Sequence, residues 1–327
     1  MIVHISPTQA NGNIMSFSFR EFARLYIKHE DISSATNNFA SENIIGLGGA
    51  GKLYKGKLKN NGKLIDIVAW RLEGIHGQGE IGLWTEISML SIRRHENLAF
   101  VIGFCDQNGE KIIIYQHTVH ECLDKYLGDP SLTWSKRLKI CLGVARALNY
   151  IHYDAIHCGL SSSKVLIGND GEAKVFGFGL STRYPGNWMH RLLLTHFSDA
   201  SAKCRDSERV TPKYDVYSFG LLLYEVLCGG TPMSKDYGVN EKLDERINLD
   251  LRKQMNSQSV TILSILMDNC LNQQPMCRPT MADVVNKLEN MLVLQREPEE
   301  LEHSAVADEA ISPNILTVSI FINFVIW

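Results

Sequence analysis

The chain has 327 residues, enough to bury a large core and to form two lobes or two domains. Its hydrophobic share of 45% and charged share of 21% are typical of a soluble globular protein. The 33 basic and 36 acidic residues leave a net charge of −3, so no overall positive field attracts nucleic acid or anionic membrane. The composition therefore argues against a nucleic-acid-binding protein.

The cysteines and the two termini bear on the compartment. Eight cysteines are scattered without a Cys-x-x-Cys spacing, so neither a zinc site nor a disulfide framework is indicated, and a reducing cytoplasmic compartment is expected. Residues 1–9 lack a basic segment followed by an apolar core, which argues against a signal peptide. The apolar run 315–327 would reach only about 20 Å as a helix, against a hydrocarbon core of about 30 Å. It is interpreted as an interfacial anchor, a docked strand or an unselected tail.

The first half of the chain is patterned as a short helix and then strands. Ile32, Ala35 and Phe39 recur at helical spacing on one face. Residues 46–51 carry a Gly-x-Gly-x-x-Gly spacing, which dinucleotide-binding folds also carry, but there a helix follows at once. Here residues 52–72 alternate as two strands around an Asn-Gly turn, which predicts a glycine-rich hairpin able to lie over nucleotide phosphates. The alternative is that the glycines serve only the turn.

The remaining elements follow in order. Leu83, Ile87 and Leu90 predict an amphipathic helix that carries Glu86. Two more strands are predicted at 97–105 and 111–116. Two long helices are predicted at 136–152 and 215–227, and a last helix at 281–291. The helix that begins at Asp215 is apolar nearly all round, so it is expected at the centre of its lobe. Residues 296–310 are acidic and unpatterned and are predicted to be disordered.

Several short sequence segments resemble motifs of eukaryotic protein kinases. Residues 155–181 resemble the catalytic and metal-binding loops of that family, His-Arg-Asp-x-x-x-x-Asn and Asp-Phe-Gly. Asp-Val-Tyr-Ser-Phe-Gly at 215–220 is a specific match, and Ala-Thr-Asn-Asn-Phe at 35–39 is similar to the segment that leads into plant receptor-like kinase domains. The resemblance covers about 31–294. It implies an α+β bilobal kinase fold, with a five-stranded antiparallel sheet and one helix in the N-lobe and a mainly helical C-lobe. The implied parts are an N-terminal extension 1–30, an N-lobe 31–118, a C-lobe 119–295 and a disordered tail 296–327 with an apolar end.

The chemical side chains of the family are missing from this frame. Without gaps, the family's Asp and Asn of the first loop fall on Gly159 and Lys164, and the Asp of the second falls on Gly177. Ser161 stands in place of a lysine. Glycine can neither take a proton nor bind a metal ion, and Lys164 would repel one. The resemblance therefore implies no intact catalytic residue and no metal site, that is, a pseudokinase.

A nucleotide site is also implied, with one position left open. The lysine that grips phosphates in the family falls on Arg71, or on Trp70 if the frame slides by one. Glu86 would pair with Arg71, or it is a solvated helix charge. The implied nucleotide-binding residues are Gly46, Leu47, Gly48, Gly49, Gly51, Leu53, Ala69, Arg71, Glu86, Gln116, Thr118 and Leu166. A packed column through both lobes is implied at Leu90, Val101, His157 and Phe178, resting on Asp215, although these also read as ordinary core residues.

Three functions are consistent with these residues. The leading hypothesis is a signalling scaffold or allosteric partner that binds ATP weakly or without metal, with Mg²⁺ not expected. Its partners would be other kinases or receptor complexes, and its location cytoplasmic, including the inner face of the plasma membrane. The second is an active Ser/Thr kinase that uses Asp154 or Asp170. The third is a degraded, poorly folding product, because the loop before His157 is short and the C-terminal tail is unusual. The resemblance also implies that Cys158 replaces the Arg that reads a phosphorylated activation segment, and that the closing Pro-Glu pair falls on Ala202 and Lys203.

Overall fold

The computed structural model describes residues 22–48, 51–73, 78–116, 119–168, 170–183, 210–228 and 247–309. Within these ranges, one lobe is built on a five-stranded antiparallel sheet and the other is mainly helical, which confirms the expected α+β kinase architecture. No helix of the described residues is both long and apolar enough to cross a membrane.

The first lobe is an antiparallel sheet in the order β1-β2-β3-β5-β4. Its strands are Ile44–Gly48 (β1), Gly51–Asn60 (β2), Lys63–Leu72 (β3), Phe100–Gln107 (β4) and Glu110–Gln116 (β5). The helices His29–Ala35 (α1) and Gln78–Leu90 (α2) lie against it. The β2–β3 and β4–β5 hairpins turn at Asn-Gly pairs, where Asn61, Gly62, Asn108 and Gly109 all have positive φ angles, as tight two-residue hairpin turns require.

The sheet has two buried faces, and the alternation along β3 assigns its residues to them. Val68 and Trp70 point into the large core that continues into the second lobe. Ile67 and Ala69 point to the opposite face, where a smaller core packs under Ile32 of α1. Because successive side chains of a strand point to opposite faces, Arg71 shares the face of Ala69 rather than that of Trp70.

The second lobe packs its helices around α4, most of whose residues are buried. Its helices are Leu123–Tyr126 (α3), Trp134–Ile151 (α4), Lys213–Cys228 (α5), Leu249–Gln254 (α6), Ser257–Cys270 (α7) and Met281–Glu309 (α8). Short strands complete it, namely Val119–Cys122 (β6), Ala155–Ile156 (β7), Val165–Gly168 (β8), Ala173–Val175 (β9) and Thr182–Arg183 (β10). Helix α8 continues through 296–309, where the acidic composition predicted disorder. Glu, Leu and Ala have high helix propensity and prolong a helix that is already formed.

Candidate functional site

Asp215, near the start of α5, anchors the loop that resembles the kinase catalytic loop. Its carboxylate accepts hydrogen bonds from the backbone amides of His157 at 2.7 Å and Cys158 at 2.9 Å. His152 Nε2 lies 3.0 Å from the same carboxylate. Burial alone would raise the pKa of Asp215, but the hydrogen bonds from His152 and the backbone hold that pKa below its ordinary value. A fully buried carboxylate therefore fixes the backbone of this loop.

Three of the residues expected to form a packed column lie in the large core. Leu90, Val101 and Phe178 all belong to the large core and are no more than 2% exposed. The rings of His157 and Phe178 lie 4.5 Å apart, and His157 rests on Asp215 through its backbone amide. Both lobes are thus joined by side chains of the kinase type.

Glu86, on α2, is fully buried and does not pair with Arg71. Its Oε1 accepts hydrogen bonds from the Tyr115 hydroxyl at 2.7 Å and from the Gly177 amide at 2.9 Å. Its Oε2 has no hydrogen-bond partner among the described residues. Burial raises the pKa of Glu86, and the bonds from Tyr115 and Gly177 oppose that rise. Glu86 is therefore an internal polar contact between α2, β5 and the loop at 177, not a solvated helix charge.

Arg71 lies outside the cleft, which corrects its expected role. Its Nε donates to Glu110 Oε2 at 2.7 Å, and its guanidinium carbon lies 4.7 Å from the centre of the Phe39 ring. Ala69 is on the same outer face and packs with the smaller core, so it does not line the cleft either. The strand alternation of β3 is the sequence signal that identifies this face.

Trp70 occupies the cleft face instead, which resolves the open frame. Its indole is buried, faces Leu53 across the β2–β3 pairing, and meets the Phe176 ring edge-on at 5.4 Å. Val68, two residues earlier, is fully buried on that face and takes the place expected for Ala69. A large aromatic side chain therefore stands where the family keeps a phosphate-gripping lysine.

Lys164 and Gly177 are in direct steric contact. The Lys164 chain runs so close to Gly177 that a Cβ atom there would overlap Cδ of the lysine and lie 3.0 Å from its Cε. Gly177 also has a φ of 84°, a left-handed conformation that side chains rarely adopt. The ammonium of Lys164 lies 4.4 Å from the centre of the Trp70 ring. Lys164 therefore lies across the position where the family has a metal-binding aspartate.

The other catalytic positions carry no replacement group. A Cβ atom at Gly159 would meet Leu180 at 3.5 Å, an ordinary contact, so that position has room for a side chain. The Ser161 hydroxyl is hydrogen-bonded to Ser163 at 2.9 Å. Among the described residues, no group of three His, Cys, Asp or Glu side chains could hold a metal ion. Positions 159 and 177, where the family has aspartates, offer no side-chain oxygen.

The acidic residues considered as relocated catalytic groups are engaged elsewhere. Both carboxylate oxygens of Asp154 accept from Arg93 Nη2, at 2.8 and 2.7 Å, closing the short loop after α4. Asp170 accepts from the Glu172 amide within the turn between β8 and β9.

Two of the residues expected to contact a nucleotide are buried within the protein. Leu53 is 1% exposed and Leu166 is fully buried, and both belong to the core that spans the two lobes. Gly46 lies so close to Cys122 that a Cβ atom on it would be 2.6 Å from the sulfur. Leu47 and Gln116 are exposed, Gly48 and Gly51 end β1 and begin β2, and Gly49 and Thr118 lie outside the described residues.

Three residues that matter here were missed by sequence reasoning. Tyr115, on β5, donates a hydrogen bond to Glu86. Cys122 is buried beside Gly46, and burial raises its pKa to about 12. Asp124 is half-buried and acts electrostatically on Lys164. The alternation of β5 puts Tyr115 on the cleft face with Ile113, but no spacing identifies the other two.

A close backbone contact joins α2 to the segment after Gly177. A Cβ atom on Gly179 would lie 3.2 Å from Cα of Gly82 and 3.5 Å from its carbonyl oxygen. The helix that carries Glu86 thus touches the 3₁₀ turn Phe178–Leu180 almost backbone to backbone.

Comparison with known proteins agrees with this architecture. Residues 39–288 match the family described as "Protein tyrosine and serine/threonine kinase". The chain is 32% identical to the receptor-like protein kinase ANXUR1 of Arabidopsis thaliana, over 91% of this chain and 38% of that protein. It is 35% identical to HERK 1 and 31% identical to FERONIA of the same organism, over 89% and 83% of this chain and 38% and 33% of those proteins. It thus spans little more than a third of the length of these relatives. The chain belongs to the protein tyrosine and serine/threonine kinase family.

Proposed function

We propose that this chain is a pseudokinase of the plant receptor-like type, which does not transfer phosphate and serves as a signalling scaffold or allosteric partner. The observation that carries the proposal is the Lys164–Gly177 contact, in which a lysine chain fills the space beside a residue that has no side chain. The family needs an Asn and an Asp at these two positions to hold the metal ion.

The missing groups act as one unit in phosphoryl transfer. The attacking hydroxyl needs a carboxylate that orients it and accepts its proton, and the metal ion needs oxygen ligands. Gly159 and Gly177 supply neither. Loss of one such group typically costs about 10²–10⁴-fold, and loss of several leaves little rate above background although the penalties do not multiply.

The packing of the domain supports a scaffold rather than a poorly folding product. Asp215 accepts a hydrogen bond from the His157 amide, and the His157 ring packs against that of Phe178. Glu86 is hydrogen-bonded to both Tyr115 and Gly177. The short loop is closed by the Arg93–Asp154 ion pair. A domain with these contacts presents a fixed kinase-like surface without needing to process a substrate.

Nucleotide and partners belong to the same proposal. The sequence analysis expected weak or metal-free binding of ATP, but ATP would have to displace Trp70 and Lys164 from the cleft. Leu53 and Leu166, which would contact the adenine ring, are already buried by the protein. Both observations favour a domain that works without nucleotide. The names of the relatives are those of receptor-like kinases, and we propose such kinases, in complexes at the inner face of the plasma membrane, as its partners.

The test is a phosphotransfer assay on the purified full chain. Radiolabelled ATP with Mg²⁺ or Mn²⁺ is supplied together with a generic basic protein substrate, and an active protein kinase is assayed in parallel. We expect no label on the chain or on the substrate above a heat-denatured sample. Label that disappears in Asp154→Asn or Asp170→Asn would instead establish an active kinase with relocated groups.

A further inference from the structure

The Lys164 side chain bridges the catalytic loop and the aromatic wall of the sheet. The residue ends the 3₁₀ turn Ser162–Lys164, and its carbonyl accepts a hydrogen bond from the Phe176 amide at 3.1 Å. Its ammonium lies 4.4 Å from the ring centre of Trp70 and 5.5 Å from that of Phe176. A cation within about 6 Å of an aromatic ring is attracted to its face. Lys164 therefore fills the inner end of the cleft with its own chain.

Gly177 is the steric complement of this lysine. A Cβ atom at position 177 would overlap Cδ of Lys164 and approach its Cγ to 3.2 Å. Gly171 provides the contrast. Its φ is nearly the same, 81° against 84°, but a Cβ atom added there would have no atom within 4 Å beyond its chain neighbours. The space beside Gly177 is thus taken by Lys164, whereas the space beside Gly171 is open.

The charge of Lys164 has partners within the chain. Burial lowers the pKa of Lys164, and the nearby Glu86, Cys122 and Asp124 oppose that fall electrostatically without cancelling it. Lys164 also lowers the pKa of the buried carboxylate of Glu86 electrostatically, whereas Arg71 is bound to Glu110 on the far face.

We propose that Lys164 is a built-in occupant of the cleft, which lies over Gly177 and against Trp70 in place of the metal-bound phosphates of a nucleotide. Its chain fills the space beside Gly177 and lies against Trp70, so that the closed arrangement needs no ligand. This inference rests on the proposed pseudokinase function and specifies how its site is regulated: the cleft is locked by a residue of the chain itself.

A double-mutant cycle on the full chain tests the steric part. Gly177→Ala and Gly171→Ala are each made in the wild type and in a Lys164→Ala background, and the unfolding equilibrium is measured in urea. We expect Gly177→Ala to raise the unfolding constant about tenfold more than Gly171→Ala in the wild type, because overpacking adds to the φ strain that both share. In the Lys164→Ala background the two alanines should cost the same.

Two results would overturn the steric lock. One is an equal cost of Gly177→Ala in both backgrounds, which would mean that Lys164 does not occupy the space. The other applies if the Gly177→Ala chain does not fold: the lock is contradicted if the Lys164→Ala/Gly177→Ala chain does not fold either. A cooperative urea unfolding transition of the double variant would instead support the lock.

Nucleotide binding tests the occupancy and separates this inference from the proposed function. Melting of the wild-type chain is followed with ATP in EDTA and with ATP plus Mg²⁺, and neither should shift the Tm. A Tm shift by ATP without phosphotransfer would overturn the lock and leave the pseudokinase proposal standing. Phosphotransfer by the wild-type chain would overturn the pseudokinase proposal itself.

Discussion

Arg71 Nε and Glu110 Oε2 lie 2.7 Å apart on the face of the sheet that turns away from the cleft. The pair settles the frame of β3, because a residue bound there cannot reach Glu86. It also leaves Trp70, one position earlier, as the side chain that faces the second lobe.

Substitution of Arg71 should therefore affect stability modestly. Arg71→Ala removes a partly exposed ion pair and a contact with the Phe39 ring, so we expect a loss of about 1 kcal/mol in the free energy of unfolding. Trp70→Ala, which empties a buried site, should cost about 3–5 kcal/mol. Urea unfolding of the two variants compares them, and Glu110→Gln is the matched control for the ion pair. A larger loss for Arg71→Ala than for Trp70→Ala would contradict the placement.

Tyr115 should stabilise the domain through its hydroxyl group. Burial and the nearby Glu86 carboxylate raise the pKa of Tyr115 well above its ordinary value, so the phenol keeps its proton and donates to Glu86. Tyr115→Phe should cost about 1–3 kcal/mol, because it removes a donor from a buried carboxylate. Tyr150→Phe, at an exposed position of α4, should change the unfolding free energy by less than about 0.5 kcal/mol. Equal effects of the two changes would show that the Tyr115 bond contributes nothing.

The stability of the domain should depend on pH through Asp215. Its pKa in the folded state lies below the ordinary 3.8, because the bonds from His152 and the backbone outweigh the effect of burial. A depressed carboxyl pKa gives stability that is complete above about 3.8 and is lost as the pH falls through the lower, folded-state value. Asp215→Asn should cost about 3 kcal/mol at neutral pH and flatten this acid limb. Unfolding midpoints between pH 2.5 and 7 measure both effects, and an acid limb unchanged in the variant would contradict this role.

Cys122 should report on closure of the cleft. Burial raises its pKa to about 12, so at pH 8 almost no thiolate is present, and the Gly46 strand covers the sulfur. Iodoacetamide should therefore label exposed Cys277 readily and leave Cys122 unmodified, as read by peptide mass spectrometry. Both should be labelled in urea. If Cys122 of the native chain reacts as fast as Cys277, the cleft is open in solution.

Local patterns were sufficient for the sheet and insufficient for the cleft. The Asn-Gly turns and the alternation of β3 are short-range signals, and the structure follows both. The same alternation identifies the outer face of Arg71 once applied strictly. The position of Lys164 follows no local rule, because its contacts with Trp70 and Gly177 join three separate segments. The bond from Tyr115 to Glu86 likewise depends on how α2 is seated against the sheet.

The glycine pair at 82 and 179 has a mechanical consequence. Where two backbones touch without intervening side chains, no rotamer can adjust to absorb a small displacement. Outward movement of α2 must break this seam together with the Gly177 bond to Glu86, so intermediate positions are disfavoured. A protein that binds this helix and moves it outward would therefore have to separate both contacts.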